Sequence, residues 1–209
     1  MKISAGKLAG LAYLGLAITG AVSFLYANQN LYVMGDAAAT AKNLVEQESL
    51  ARIGIATELA LVVFQALAAV WFYKFFKKKD EFSAWLIAVF GMVNAIAIMI
   101  SSAAWYSALN AALAGQTDQV GLLYNLHENI WLVSKLFFGL WLIPMGFAVW
   151  SAKMPKALGW ILVLGGVGYV LSAFTSVLLP DAKALTEALP FFATIGELWM
   201  IGYLLFKSE

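Results

Sequence analysis

Residues 131–150, WLVSKLFFGLWLIPMGFAVW, are almost entirely apolar and carry one charge, on Lys135. A run of about 20 such residues is long enough to cross the hydrocarbon core of a bilayer as an α-helix. A cation near the centre of such a helix costs roughly 2.5–3.5 kcal/mol on insertion scales, so it usually faces the protein interior and finds a partner there. The stretch therefore predicts a membrane-spanning helix and a polar region around Lys135.

The whole chain shares this apolar character. Of its 209 residues, 63% are hydrophobic and 12% are charged, which lies outside the usual range of soluble domains. Six apolar segments of spanning length follow one another, near residues 8–27, 53–75, 83–108, 125–150, 158–178 and 189–206. They predict an all-α integral membrane bundle in a single domain over residues 1–209. A separate soluble catalytic domain has no room in this arrangement.

Lysine placement predicts the orientation, because short cytoplasmic connections carry an excess of Lys and Arg. Nine lysines fall on one side of the six-span arrangement: Lys2, Lys7, Lys74, Lys77, Lys78, Lys79, Lys153, Lys156 and Lys207. Both termini are therefore predicted to be cytoplasmic. A cleaved signal peptide is the alternative for the first span, but its apolar region is too long, and Leu25 and Ala27 make a poor cleavage site.

The connection after the first span, residues 28–52, is long and predicts a further short helix. Gly35 ends the preceding segment, Asp36 is a good N-cap, and the alanine-rich run after Asp36 favours helix. We expect this helix to lie over the outer mouth of the bundle; a simple connector is the alternative.

Helical spacing and depth suggest which polar groups meet. His127, Trp131 and Lys135 follow one another at i, i+4 and i+8 and share a face. At 1.5 Å per residue from the outer helix ends, Glu58 lies roughly 8 Å deep, Glu197 roughly 12 Å and Lys135 roughly 15 Å. We therefore predict a polar pocket in the outer half of the bundle, with these candidate binding residues: Lys135, Glu197, Glu58, His127, Glu128, Gln65 and Thr194.

Three kinds of role remain open for this pocket. Lys135 with Glu197 or Glu58 would form a structural ion pair, which makes the protein a non-enzymatic bundle with a structural or interaction role. Alternatively, the pocket binds or transports a small solute, an ion or a proton, although no pair of Gly- or Pro-broken helices is evident. A membrane enzyme is the third reading, through His127 with Ser101, Ser102 or Ser134, or through a Schiff base on Lys135.

Composition also limits cofactors and partners. The chain has one histidine and no cysteine, so neither a zinc site with several histidines nor a bis-histidine haem is expected, and no cofactor or metal is predicted. Membrane lipids and a small polar or ionic ligand are the expected partners. Nucleic acid is not, because the basic cluster Lys77–Lys79 is short and is followed by Asp80 and Glu81. Helix faces of small residues pack equally well within one chain and between chains, so the sequence predicts neither a monomer nor an oligomer.

Three segments resemble the bacterial membrane family DUF4386: VMGDAAATAKNLVEQESLARIGIATELA, LFFGLWLIPMGFAVWSAKMPKALGWILVLGGVGYVLSAF and IGELWMIGYLLFK. The resemblance covers almost the whole chain and implies a six-helix protein of the bacterial inner membrane, with no established activity or site residues. The chain departs from the family pattern at Gly91 and Trp141, where arginine and histidine are frequent, and at Lys135, where a small or apolar residue is expected.

Overall fold

The computed structural model describes residues 3–207, and these residues contain helices and no strand. The helices, numbered in chain order, are α1 Ala5–Leu31, α2 Ala37–Glu46, α3 Glu48–Phe76, α4 Glu81–Leu113, α5 Thr117–Ser151, α6 Lys156–Leu178, α7 Lys183–Ala188 and α8 Phe191–Lys207. The expected all-α class is confirmed for the described part of the chain.

Six helical segments are long and apolar enough to cross a membrane: α1, α3, α4, α5, α6, and α7 together with α8. They coincide with the six predicted spans, so that prediction is confirmed. The helices run beyond the predicted ends because polar residues continue the helix past the apolar core. The 35 residues of α5, for example, begin at Thr117, eight residues before the predicted start.

The short helix predicted after the first span is present as α2. Asp36 is its N-cap and accepts a hydrogen bond from the backbone N–H of Ala39 at 2.8 Å. Gly35, just before the cap, has a φ of +76°, a conformation that side chains other than glycine rarely adopt. Local capping chemistry therefore decides where α2 begins. Its position on the outer side of a membrane stays a prediction.

Three of the spanning segments contain irregularities. Residues Ala21–Asn28 of α1 form a π-helix, a wide helix that frequently marks functional sites. Pro144 lies inside α5, where it cannot donate the usual backbone hydrogen bond. The last span is interrupted at Leu189 and Pro190, between α7 and α8. Neither the π-helix nor the interruption at Pro190 is predicted by the apolar pattern of the sequence.

The described chain divides into two compact units. Unit 1 contains residues 3–14, 64–94 and 132–207, and unit 2 contains residues 15–63 and 95–131. The core of unit 1 includes the buried rings of Tyr13, Phe72 and Trp141, which meet edge to face. The core of unit 2 is an apolar cluster that includes Leu31, Leu44, Trp105, Leu109 and Tyr124.

Glycine allows α5 and α6 to approach closely within unit 1. A Cβ on Gly166 would lie 2.7 Å from the carbonyl oxygen of Gly139, and a Cβ on Gly139 would collide with the carbonyl oxygen of Gly166. The obstacle in both cases is backbone, which cannot rotate away. Small residues at such crossings let helix backbones pack together in membranes.

Gly139→Ala should therefore destabilise the protein, by about 1–3 kcal/mol, because the added methyl group overpacks the α5–α6 contact. Gly202→Ala in α8 is the matched control, because a Cβ there meets nothing within 4 Å and alanine favours helix. Thermal unfolding of the purified protein in one detergent compares the two. Equal unfolding temperatures for both variants would contradict the described crossing.

Candidate functional site

Glu58 of α3 is the deepest acidic side chain in unit 2, with 0% of its surface exposed. Its Oε1 accepts a hydrogen bond from the indole Nε1–H of Trp131 at 2.7 Å and one from the Ser101 hydroxyl at 3.4 Å. Its Oε2 has no hydrogen-bond partner among the described residues. A buried carboxylate is stabilised by such donors, and here they contact only one of its two oxygens.

His127 of α5 lies directly beside this carboxylate and is also fully buried. Its Nδ1 is 2.7 Å from Ser101 Oγ, 3.3 Å from the Ser101 carbonyl oxygen and 3.8 Å from Glu58 Oε1. Its Nε2 is 3.7 Å from Glu128 Oε1 and makes no hydrogen bond to a described residue. The imidazole therefore stands between two carboxylates, one on each side.

Aromatic rings hold the imidazole in place. The rings of Trp105 and Tyr124 lie 5.1 Å and 5.4 Å from the His127 ring, measured between centroids. Both are part of the apolar core of unit 2. Phe24 packs edge-on against Trp131 at 4.2 Å, beside the indole that binds Glu58. Packing of this kind restricts rotation of the polar side chains and keeps water from surrounding them.

Glu128 connects the buried pair to a more exposed region, since 35% of its side-chain surface is accessible. Asn28, at the end of the π-helical segment of α1, donates its side-chain N–H to Glu128 Oε1 at 2.9 Å. The Tyr124 hydroxyl donates in turn to Asn28 Oδ1 at 2.6 Å. The polar network thus extends from Glu58 to Tyr124 within unit 2.

A cavity of about 90 Å³ adjoins this end of the network. Its lining includes Tyr124 and, from other segments of unit 2, Tyr32, Asp36, Thr40 and Asn125. Burial raises the pKa of Tyr32, and the nearby charge of Glu128 raises it further, so its hydroxyl keeps its proton and donates to Asn125 Oδ1 at 3.1 Å. The cavity is large enough for about three water molecules.

Helical periodicity explains why these side chains meet. Tyr124, His127 and Trp131 follow one another at spacings of three and four residues, which places them on one face of α5. Ser101 and Trp105 share a face of α4 for the same reason, and this face meets His127. The cluster is therefore built from one face on each of α3, α4 and α5, with Asn28 added from α1.

Hydrogen bonds connect His127 to Glu58 through Ser101. With a proton on Nδ1, His127 donates to Ser101 Oγ, and the Ser101 hydroxyl donates to Glu58 Oε1. Nε2 then carries a lone pair and lies 3.7 Å from Glu128, a distance longer than a hydrogen bond. Because the imidazole and the two carboxyl groups are so close, a proton on any one of them changes the proton affinity of the others.

The 2.7 Å contact of Ser101 with His127 also has the form of a nucleophile and its base. Ser101 lies in the middle of α4, however, where the backbone N–H groups are engaged in helical hydrogen bonds. Such N–H groups cannot form an oxyanion hole, which is the usual source of transition-state stabilisation in acyl transfer. The arrangement therefore suits proton transfer better than nucleophilic catalysis.

The structure divides the seven predicted pocket residues between the two units. Glu58, His127 and Glu128 come together in unit 2, whereas Lys135, Gln65, Thr194 and Glu197 belong to unit 1. A single pocket containing all seven stays a prediction. Within residues 3–207, no group of three His, Asp or Glu side chains is arranged to hold a metal ion.

Lys135 and Glu197 do not form the ion pair that the sequence suggested. Within unit 1, no described carboxylate oxygen lies within 4.0 Å of the Lys135 ammonium. Lys135 donates instead to the Ser172 hydroxyl at 3.4 Å, and Ser172 donates to the carbonyl oxygen of Thr186 at 2.9 Å. Glu197 accepts from the buried Tyr13 hydroxyl at 2.8 Å. The hydrogen-bond partners of both charged side chains are therefore neutral hydroxyl groups.

The other two predicted residues of unit 1 differ in burial. Gln65 is fully buried and its amide has no partner among the described residues. Thr194 is exposed on α8, which removes it from an internal pocket of that unit.

The sequence does not predict every contact of the cluster. Trp131 donates to Glu58, although it is not among the predicted binding residues, and Asn28, which the sequence places in the connection after the first span, donates to Glu128. The i, i+4 spacing of Trp131 from His127 was the one available signal for its role. Tyr13 carried no signal, because its partner Glu197 is 184 positions away in the sequence.

Comparison with known proteins identifies one family. A family model described as a domain of unknown function, DUF4386, matches residues 8–208, nearly the whole chain. No curated protein and no solved structure matches the chain.

Proposed function

Because the chain belongs to the DUF4386 family, whose function is unknown, we propose its role from the geometry of its polar cluster. The role is reversible proton binding inside the membrane, with Glu58 as the buried acceptor and Glu128 as the accessible group that exchanges protons with the surroundings. His127 and Ser101 relay the proton between them. Ionisable side chains within membrane spans commonly mark proton routes in transporters and pumps.

The placement of one imidazole between two carboxylates is the observation that carries this proposal. His127 Nδ1 lies 3.8 Å from Glu58 and Nε2 lies 3.7 Å from Glu128. Burial is graded along the route, since 35% of the Glu128 side chain is exposed, 1% of His127 and 0% of Glu58. A proton that reaches Glu128 therefore has a path into the dry interior: His127 takes it up at Nε2 and releases one from Nδ1 to Ser101, and the Ser101 hydroxyl at the same time gives its own proton to Glu58.

The free oxygen of Glu58 points to a second exchange partner. In unit 2, Gly20 of α1 lies beside Leu61 of α3, and Ala27 lies beside Gly54, so antiparallel register brings Ser23 level with Glu58. Ser23 is buried in the π-helical segment, and its Oγ lacks a described partner, as Glu58 Oε2 does. A water molecule or a small hydroxylic solute bound at these oxygens would complete the proton route.

A purely structural cluster is the competing reading, in which the hydrogen bonds only set helix register. That reading requires no change of protonation at Glu58 or Glu128 and no coupling between them. The proton-binding role requires Glu58 and Glu128 to change their protonation, and to do so together. Vibrational spectroscopy distinguishes the two readings, because a protonated carboxyl group and a carboxylate absorb at different frequencies.

In infrared spectra of the lipid-reconstituted protein, we expect carboxylic C=O bands that change with pH. Glu58→Gln should remove the band of Glu58. The band of Glu128, which Glu128→Gln identifies, should then change its pH midpoint by about one unit, because the two groups are coupled. Glu46→Gln is the control, since Glu46 lies on α2 and meets Lys42 on an exposed surface. If Glu58→Gln leaves the bands unchanged at every pH while the protein stays folded, the proposal is wrong.

We place the protein in the bacterial inner membrane with both termini in the cytoplasm. The lysine distribution supports this orientation. At the end of α3, Lys74 stacks over Trp71 at 4.8 Å and Lys77 over Tyr73 at 5.6 Å. Such pairs of cations and aromatic rings suit the interface between lipid headgroups and cytoplasm, where anionic lipids attract lysine.

Single cysteines test this orientation against a clean background, because the chain has no cysteine of its own. Lys78→Cys, between α3 and α4, should react with a membrane-impermeant maleimide only in inside-out vesicles. Gln116→Cys, between α4 and α5, should react only in intact right-side-out cells. The reverse labelling pattern would show that the protein has the opposite orientation in the membrane.

A further inference from the structure

Unit 1 contains a polar cluster of its own, formed by Gln65, Asn94 and Trp141. Nine buried side-chain atoms among residues 3–207 have no hydrogen-bond partner, and five of them belong to Gln65, Asn94 and Trp141. All three residues are 0% exposed. Buried polar groups are nearly always paired, so a concentration of unpaired ones indicates a partner outside the chain.

Two of the three residues converge on one point beside Gly91 of α4. A Cβ at Gly91 would lie 3.1 Å from Trp141 Nε1 and 3.4 Å from Gln65 Nε2, so both N–H donors are near the same position. It would also lie 2.8 Å from the Cβ of Ala69. Glycine at this position therefore lets α4 approach α3 and brings the two donors to the same side of Gly91.

Asn94 joins this group through helix geometry. It follows Gly91 by three residues and shares its face of α4. Gly91 faces Ala69 and Gln65, which are one turn apart on α3. Since α3 and α4 are consecutive and antiparallel, one turn further along α4 brings Asn94 level with Gln65. The two amides and the indole therefore form a single group of three donors and two acceptors.

The chemistry of this group indicates its ligand. All its polar atoms are neutral, and donors and acceptors are both present, so it matches a molecule that donates and accepts hydrogen bonds without a net charge. An anion is disfavoured because the Trp141 ring contacts Tyr13, whose hydroxyl is bonded to the Glu197 carboxylate. The rings of Tyr13 and Phe72 close the apolar side of Trp141.

We propose that Gln65, Asn94 and Trp141 form an internal binding site for a small neutral hydrogen-bonding molecule. Two sources share this chemistry: water held within the bundle, and a neutral solute of similar size such as urea or glycerol. Neither the acid–base groups of unit 2 nor a metal takes part. The site would be an uncharged polar binding site within the membrane.

Nuclear magnetic resonance of the indole N–H of Trp141 tests this site directly. The full chain in lipid nanodiscs, with ¹⁵N-labelled tryptophan, has eight indole groups, and Trp141→Phe identifies the signal of interest. With water as the ligand, the Trp141 N–H should show a cross-peak to water despite its burial. With a solute as the ligand, millimolar urea or glycerol should shift the Trp141 signal.

The double variant Gln65→Leu with Asn94→Leu should abolish whichever response is seen, because it removes the other polar groups of the site. Trp150 is the internal control, since its Nε1–H is bonded to the carbonyl oxygen of Lys156 at 3.0 Å; its signal should stay constant and report that the fold is intact. The absence of both the water cross-peak and a solute shift would overturn the proposal. A response that persists in the folded double variant would overturn it equally.

Discussion

The burial of the Glu58 carboxylate constrains the polar cluster of unit 2. A carboxylate removed from water is stabilised only by donors placed close to it, and these come from Trp131 and Ser101, with His127 alongside. To bring them there, α3, α4 and α5 must each turn one particular face inward. The rotation of these helices about their axes, and with it the shape of the adjoining apolar core, follows from one acidic side chain.

This constraint also separates the two kinds of polar group in the protein. In unit 2 the buried groups are titratable and adjacent, so a proton can be held at several positions along one line of contacts. In unit 1 the charged groups Lys135 and Glu197 each have a hydroxyl as hydrogen-bond partner, and the cluster of Gln65, Asn94 and Trp141 is neutral throughout. The proposed proton binding lies in unit 2, and the proposed site for a neutral molecule lies in unit 1.

The helices could be predicted from the sequence because both signals lie in consecutive residues: the length of an apolar run and the capping residue at a helix start. Apolar runs of spanning length identified all six spans, and Asp36 identified the start of α2. The candidate site was only partly predictable. Depth along each helix grouped Glu58 with Glu197 and Lys135, but depth gives no information about rotation around the helix axis. It therefore predicts Glu197 or Glu58 as the partner of Lys135, whereas the structure pairs Lys135 with Ser172 and Glu197 with Tyr13.

His127 offers the most direct measurement of the central claim, because it is the only histidine in the chain. Selective ¹⁵N-histidine labelling of the lipid-reconstituted protein gives the tautomer and charge of one imidazole as a function of pH. If His127 relays protons between Glu58 and Glu128, its titration should change in both Glu58→Gln and Glu128→Gln. A titration that is identical in the wild-type protein and both folded variants would contradict the account.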